Sequence, residues 1–124
     1  MAPSPQQSAA ARVMVQLSEG TAADADAVFH ALGDVYPCDR DPSDRPKDVP
    51  GGHPTIWSTE FDVSQERGSA APASLDGSVR AQLQGGDQAV DCVTRKLGEM
   101  FRVEDRGATA GDQEKEVDLM LRSR

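Results

Sequence analysis

The sequence has few aromatic residues, few cysteines, few basic residues and no long apolar run. Aromatic side chains make up only 4% of its 124 residues, so a core has to be built from Val, Leu, Ala and Met. No stretch approaches the ~20 apolar residues that a membrane-spanning helix needs. The net charge of −8 repels nucleic acid and anionic membranes alike. We therefore expect a soluble protein that binds neither nucleic acid nor membrane.

The cysteines and the first residues of the chain indicate a cytoplasmic protein. Residues 1–10 have neither the basic start nor the apolar run of a signal peptide, and their Pro, Ser, Gln and Ala content predicts a disordered tail. Two cysteines without an export signal are expected to be reduced thiols. The spacing of Cys38, Cys92, His30 and His53 matches no zinc site, so we expect no metal and no other cofactor.

Apolar periodicity predicts four strands and two helices. Alternation with a period of two indicates strands at 11–17, 55–64, 75–83 and 115–122. Thr21, followed three residues later by Asp24, resembles a capping box and predicts the start of the first helix. Asp87 is predicted to cap the second helix. Gly33 is expected either to end the first helix as a left-handed cap or to lie inside its last turn, and Gly98 is expected to end the second helix in the same way. Residues 104–113 are predicted to form an acidic, turn-rich loop, and an extra short strand at 101–103 is left open.

The pattern of strand, glycine turn and helix occurs twice in the chain. Residues 13–17 match residues 79–83 at an offset of 79 − 13 = 66, and Gly20 matches Gly86. The helices match at an offset of 65, and residues 60–63 resemble residues 116–119 more weakly. We therefore expect one domain over residues 11–124, built from an internal repeat of residues 11–64 and 75–122 that are joined by a linker at 65–74.

The element order β-α-β-β-α-β predicts an α+β fold with the ferredoxin-like arrangement, in which a four-stranded antiparallel sheet carries both helices on one face. The first and third strands are expected to form a parallel central pair, with Val13 and Val79 on neighbouring strands that run the same way. The opposite face of the sheet is then open to solvent and carries polar and acidic side chains. It is a candidate interaction surface, to which Glu60, Asp62, Arg80, Glu116 and Asp118 contribute.

The two strand-to-helix turns are a candidate site for an anion or small ligand. Helix N-termini present free backbone N–H groups and a partial positive charge, and glycine lets a ligand approach the backbone. If both turns lie at the same end of the sheet, they form a site from Gly20, Thr21, Gly85 and Gly86. Against this reading, neither turn contains Lys or Arg, and nearby carboxylates could cap the helices themselves.

A catalytic arrangement is not evident. The Pro- and Asp-rich segment 37–54 contains His53, the one histidine that we would test as a general base. The open face has no aromatic side chains for stacking RNA bases. The turn after the first strand lacks the cysteines of copper-chaperone-like domains and the arginine of acylphosphatase-like enzymes, and the chain contains no Asn.

These absences favour a non-enzymatic interaction domain, which self-associates or binds a partner protein. Two alternatives stay open. One is a sensor that binds a small ligand or anion at the glycine turns. The other is a small enzyme that uses His53 in a mobile loop.

Overall fold

One sheet and two helices make up the structure. The computed structural model describes residues 11–38, 56–66, 68, 73–111 and 114–123. The strands form a single sheet in the order β2-β1-β3-β5-β4, and every neighbouring pair is antiparallel. In chain order the elements are β1 (Arg12–Ser18), α1 (Ala22–Gly33), β2 (Trp57–Asp62), β3 (Val79–Gly86), α2 (Asp87–Met100), β4 (Arg102–Ala110) and β5 (Glu114–Arg122).

The α+β class holds, but the predicted four-stranded ferredoxin-like arrangement is wrong. Residues 102–110, most of which were expected to be a loop, form an additional strand, β4. This strand makes a hairpin with β5 at one side of the sheet. The expected parallel central pair is also wrong, because β1 and β3 are neighbours that run in opposite directions. Val13 lies opposite Gly85, whereas Val79 lies opposite Leu121.

The strand directions follow from how the chain returns after each helix. Cys38 forms an isolated bridge with Phe61, near the end of β2. β2 begins at Trp57, at the opposite end of the strand from the Cys38 bridge, and runs antiparallel beside β1. In the second half β4 makes this return beside β5, where Val103 lies opposite Leu121.

The last strands of the two halves, β2 and β5, correspond to each other at a different offset from the one predicted. Phe61 pairs with Val13, and Leu121 pairs with Val79. Phe61 and Leu121 therefore occupy corresponding positions, at an offset of 121 − 61 = 60. The predicted resemblance between residues 60–63 and 116–119, at an offset of 56, does not join corresponding positions.

The core lies between the helices and one face of the sheet. Buried strand residues alternate with exposed or half-buried ones, as in Val13, Val15 and Leu17 of β1. Both helices pack on this face with stripes that include Leu32 and Leu97. Two buried residues among those described are polar, Asp24 and Thr59, and the Thr59 hydroxyl has no hydrogen-bond partner.

The helix ends differ from those expected. Gly86 is the N-cap of α2 and Asp87 is its first residue, so Asp87 is not the cap. Gly33 is the last residue of α1, whereas Gly98 lies inside the last turn of α2, which continues to Met100. Among the described residues, no helix is long and apolar enough to cross a membrane.

Candidate functional site

The two glycine turns lie at opposite ends of the sheet. Because β1 and β3 are antiparallel, the turn after Ser18 lies beside Arg80 at the start of β3, whereas Gly85 lies beside Val13 at the start of β1. The structure therefore does not bring Gly20 and Thr21 together with Gly85 and Gly86, and the prediction that they share one site is wrong.

Close backbone packing explains both glycines without a ligand. A Cβ atom at Gly20 would lie 2.9 Å from the Ser78 carbonyl oxygen, and one at Gly85 would lie 2.5 Å from the Arg12 carbonyl oxygen. Gly86 is buried. At the other turn, the Thr21 hydroxyl accepts a hydrogen bond from the Asp24 N–H at 3.1 Å and caps α1 as predicted. The position that a side chain would take at Gly20 and Gly85 is thus occupied by neighbouring protein atoms, which is a structural reason for glycine there.

Asp24 is a structural residue whose role the sequence did not indicate. Its side chain is buried and accepts hydrogen bonds from the backbone N–H groups of Asp76 at 2.9 Å and Gly77 at 3.0 Å. The carboxylate thus joins the first turn of α1 to the segment that leads into β3. The spacing from Thr21 indicated a capping residue, but it could not indicate a contact with residues 52 and 53 positions later in the chain.

Most charges on the open face of the sheet neutralise one another. The Arg80 guanidinium donates two hydrogen bonds to the Asp118 carboxylate, at 3.0 and 2.7 Å, and lies 3.6 Å from a Glu19 oxygen. These hydrogen bonds lower the pKa of Asp118 and raise that of Arg80. Arg12 pairs with Glu60 at 2.9 Å across the first two strands.

The two remaining residues of the predicted interaction surface differ from each other. Asp62 accepts hydrogen bonds from the Ser64 N–H and hydroxyl, which lower the pKa of Asp62. Glu116 is exposed and has no ion pair with any residue that the structure describes. It lies opposite Thr109, beside the outer strand of the sheet.

A second group of titratable side chains holds α2 against the chain before β3. Lys96 contacts Glu66 at 2.5 Å and Glu99 at 3.6 Å, and the hydrogen bond to Glu66 raises the pKa of Lys96. Burial and the neighbouring Cys92 and Glu66 raise the pKa of Tyr36. Lys96 and Tyr36 therefore stay protonated near neutral pH, and neither is suited to act as a general base.

The other candidates for chemistry are dispersed. His53 lies outside the described residues. Cys38 is exposed at the side of β2, whereas Cys92 is half-buried in α2, and neither forms a disulfide. A hollow of about 210 Å³ beside Cys38 also contains the Arg12–Glu60 pair, so its cation is already neutralised. Within the described parts of the chain, no group of His, Cys, Asp or Glu could hold a metal ion.

Strand β4 is the most exposed strand of the sheet. It is an edge strand, eight of its nine residues are exposed, and Val103 is half-buried. A bulge at 105–107 divides it, where Gly107 has a φ of 144° and its N–H donates to the Asp105 carboxylate at 2.9 Å. After the bulge come the small, uncharged side chains of residues 107–110.

Hydrogen-bond alternation shows which backbone groups of β4 face outward. The Gly111 N–H donates to the Glu114 carbonyl oxygen at 2.8 Å. Hydrogen-bonded and non-hydrogen-bonded pairs alternate along antiparallel strands, and the register is regular from 107 to 110. Thr109 therefore bonds to β5, whereas the N–H and C=O groups of Ala108 and Ala110 point away from it. No described residue pairs with this side of β4.

The edge formed by residues 107–110 is what the sequence analysis missed. The absence of apolar alternation suggested a loop, since neither face of this segment packs against the core. The sequence held no direct signal for this edge, because a strand with both faces open to solvent has no apolar alternation. No known protein family, curated protein or solved structure matches the chain.

Proposed function

We propose that the protein is a non-enzymatic interaction module that binds an extended segment of another protein along the outer edge of β4. The outward-facing N–H and C=O groups of Ala108 and Ala110 carry this proposal. A sheet edge of this kind recognises an extended peptide by strand addition, in which main-chain hydrogen bonds provide affinity and alternate side-chain contacts provide specificity.

Residues 107–110 suit this role better than other parts of the sheet border. Natural edges are usually blocked by charges, bulges or proline. The first half of β4 has both charges and the bulge, whereas the second half has neither. At the opposite border, β2 already receives a bridge from Cys38, and the Asp62 N–H donates to the Pro37 carbonyl oxygen at 2.9 Å.

The alternative sites receive less support. The glycine turns lie at opposite ends of the sheet, and close packing beside Gly20 and Gly85 accounts for these two glycines without a ligand. The open face of the sheet has most of its charges paired within the protein, which reduces what a partner would gain there. We propose that the protein acts in the cytoplasm, as its sparse cysteine content indicates.

The test is an amide chemical-shift titration with three synthetic extended peptides. Each has valine at alternate positions, and the positions between are all lysine, all glutamate or all threonine. We expect at least one peptide to shift the amide signals of residues 107–111 in a saturable manner. If all three leave these signals unmoved, the proposal is wrong.

A proline variant tests the backbone hydrogen bonds directly. Ala108→Pro removes an N–H that points away from β5, so the hairpin is retained while strand addition is blocked. Loss of one hydrogen bond, of about 0.5–1.5 kcal/mol, and the bulk of the ring should together weaken peptide binding by about tenfold or more. Ala108→Thr is the control, because it keeps the N–H. If Ala108→Pro does not fold, Ala110→Pro tests the same prediction at the other outward-facing residue.

A further inference from the structure

We infer that the segment that binds β4 is basic, with lysine or arginine at alternate positions. This inference rests on the proposed function and names the chemistry of the partner. Its basis is the charge that surrounds residues 107–110 on both faces of the sheet.

On the helix side of the sheet, the carboxylates near residues 107–110 outnumber the single lysine that lies among them. Lys115, which lies opposite Ala110, donates a hydrogen bond to Asp91 at 2.8 Å. Asp87 and Asp105 are near enough to act on the same ammonium, because both help to raise the pKa of Lys115. Three carboxylates therefore face one cation. Ala108 and Ala110, on the same face, have no large side chain that would separate these carboxylates from a partner.

On the open side, the nearest free charge is also negative. Glu116 is exposed, lies across from Thr109 and has no ion pair among the described residues. Arg106 and Arg122 lie nearer another carboxylate, at 3.6 Å and 4.0 Å from oxygens of Glu104. Glu116 is thus the carboxylate on this side that is left for a cation of the partner.

The spacing of strands lets a basic side chain reach these carboxylates. An added strand lies about 4.8 Å beyond β4 and so about 9–10 Å from β5. A lysine opposite Thr109 would extend over this short side chain towards Glu116 on β5. Because side chains of a strand alternate between faces, basic residues at alternate positions all lie on one face of the added strand. In this register they face Glu116, and in a register shifted by one residue they face Asp91 and Asp105 on the helix side.

A second copy of the chain fits this edge poorly. In an antiparallel pair of β4 strands centred on Thr109, each copy would bring its own Glu116 and Asp105 to the other. Each chain also has a net charge of −8. Charges of like sign on opposite sides of an interface oppose association. Charge complementarity therefore favours a basic segment from a different protein.

The three-peptide titration also tests this inference, when it is repeated at about 0.05 and 0.5 M salt. We expect the lysine peptide to bind at least about tenfold tighter than the glutamate peptide, and we expect the difference to shrink at high salt. Glu116→Gln should weaken binding of the lysine peptide by about two- to fivefold. Asp26→Asn, which changes the net charge equally on α1, is the matched control and should leave binding unchanged.

The outcomes separate the two proposals. Equal shifts of residues 107–111 by all three peptides would support strand addition and overturn the inference of a basic partner. A peptide-free protein that dimerises through the same residues, as measured by light scattering and amide shifts, would overturn it in favour of a second copy. If no peptide shifts these residues, both the inference and the proposed function are wrong.

Discussion

At the scale of single residues, the carboxylates of this acidic protein have separate structural tasks. Asp24 accepts two backbone hydrogen bonds in a buried position, Asp118 holds Arg80, and Glu60 holds Arg12. Glu116, which has no such partner among the described residues, lies next to the exposed edge. The number of acidic residues therefore says little about function, whereas the position of an unpaired carboxylate beside an open strand edge is informative.

Asp24→Ala should destabilise the protein. The change leaves the N–H groups of Asp76 and Gly77 without their charged acceptor, and a hydrogen bond to a charged group contributes about 1.5–3 kcal/mol. We expect the free energy of unfolding in urea to fall by about 2 kcal/mol or more. Asp26→Ala, on the same helix and with no such acceptor role, should change it by less than about 0.5 kcal/mol. Equal stabilities of the two variants would contradict this role for Asp24.

Arg80→Gln should raise the pKa of Asp118 towards its ordinary value of 3.8. Because the folded-state pKa of Asp118 is lowered, its contribution to stability is present above the unfolded-state value and is lost as the pH falls through the folded-state value. The stability gap between the natural protein and Arg80→Gln should therefore be constant near neutral pH and shrink below about pH 4.

Carbon-13 NMR of the side-chain carboxyl groups measures the pKa change, and urea unfolding at several pH values measures the gap. Asp62 is the internal control, because Ser64 is the main cause of its lowered pKa. A gap that widens as the pH falls would contradict the assignment.

At the scale of elements, β4 determines how the sheet ends. The bulge at 105–107 places an additional residue opposite β5. It therefore changes which residues of β4 hydrogen-bond to β5 between the charged first half of the strand and the small side chains of its second half. Only the second half is left as a regular, unblocked edge. Changes at the bulge should therefore affect stability and edge binding together.

Gly107→Ala should destabilise the hairpin. The φ of 144° at this glycine is unfavourable for any residue with a Cβ, and such strain costs about 1–3 kcal/mol. Gly98→Ala is the matched control, because Gly98 lies inside α2 and a Cβ there would have no described atom within 4 Å apart from its chain neighbours and its own helix backbone. That change should stabilise the protein by about 0.5–1 kcal/mol. Thermal unfolding of both variants measures the difference, and a stabilising Gly107→Ala would contradict the strained backbone.

At the scale of the whole molecule, periodicity predicts the elements that contribute to the core and fails for those that do not. Val13, Val15 and Leu17 reveal β1 because one face of that strand is buried. β4 has no buried residue, so it leaves no comparable pattern. Strand direction could not be read from the repeat either, since matching positions such as Val13 and Val79 do not specify whether their strands run together or in opposite directions.

The candidate edge was hidden for the same physical reason. Ala108 and Ala110 have no distinctive chemistry, and what makes them candidates is the direction of their backbone groups. Of the residues proposed from the sequence, Glu116 alone enters the binding proposal, and Gly20 and Gly85 are explained by close packing. A site made of backbone hydrogen bonds becomes visible only when strand order and register are known.

The central pairing of β1 with β3 implies that the two halves unfold together. The single tryptophan, Trp57, lies in the first half, whereas Leu121 is fully buried in the second. Leu121→Ala should reduce the free energy of unfolding by about 2–5 kcal/mol. If the halves form one cooperative unit, the midpoints of urea unfolding measured by Trp57 fluorescence and by far-ultraviolet circular dichroism should fall to the same lower value. Met120→Ala, on the open face, should lower both midpoints much less. A fluorescence midpoint that stays fixed while the circular dichroism midpoint falls would mean that the first half is stable on its own, contrary to a domain whose halves share one sheet.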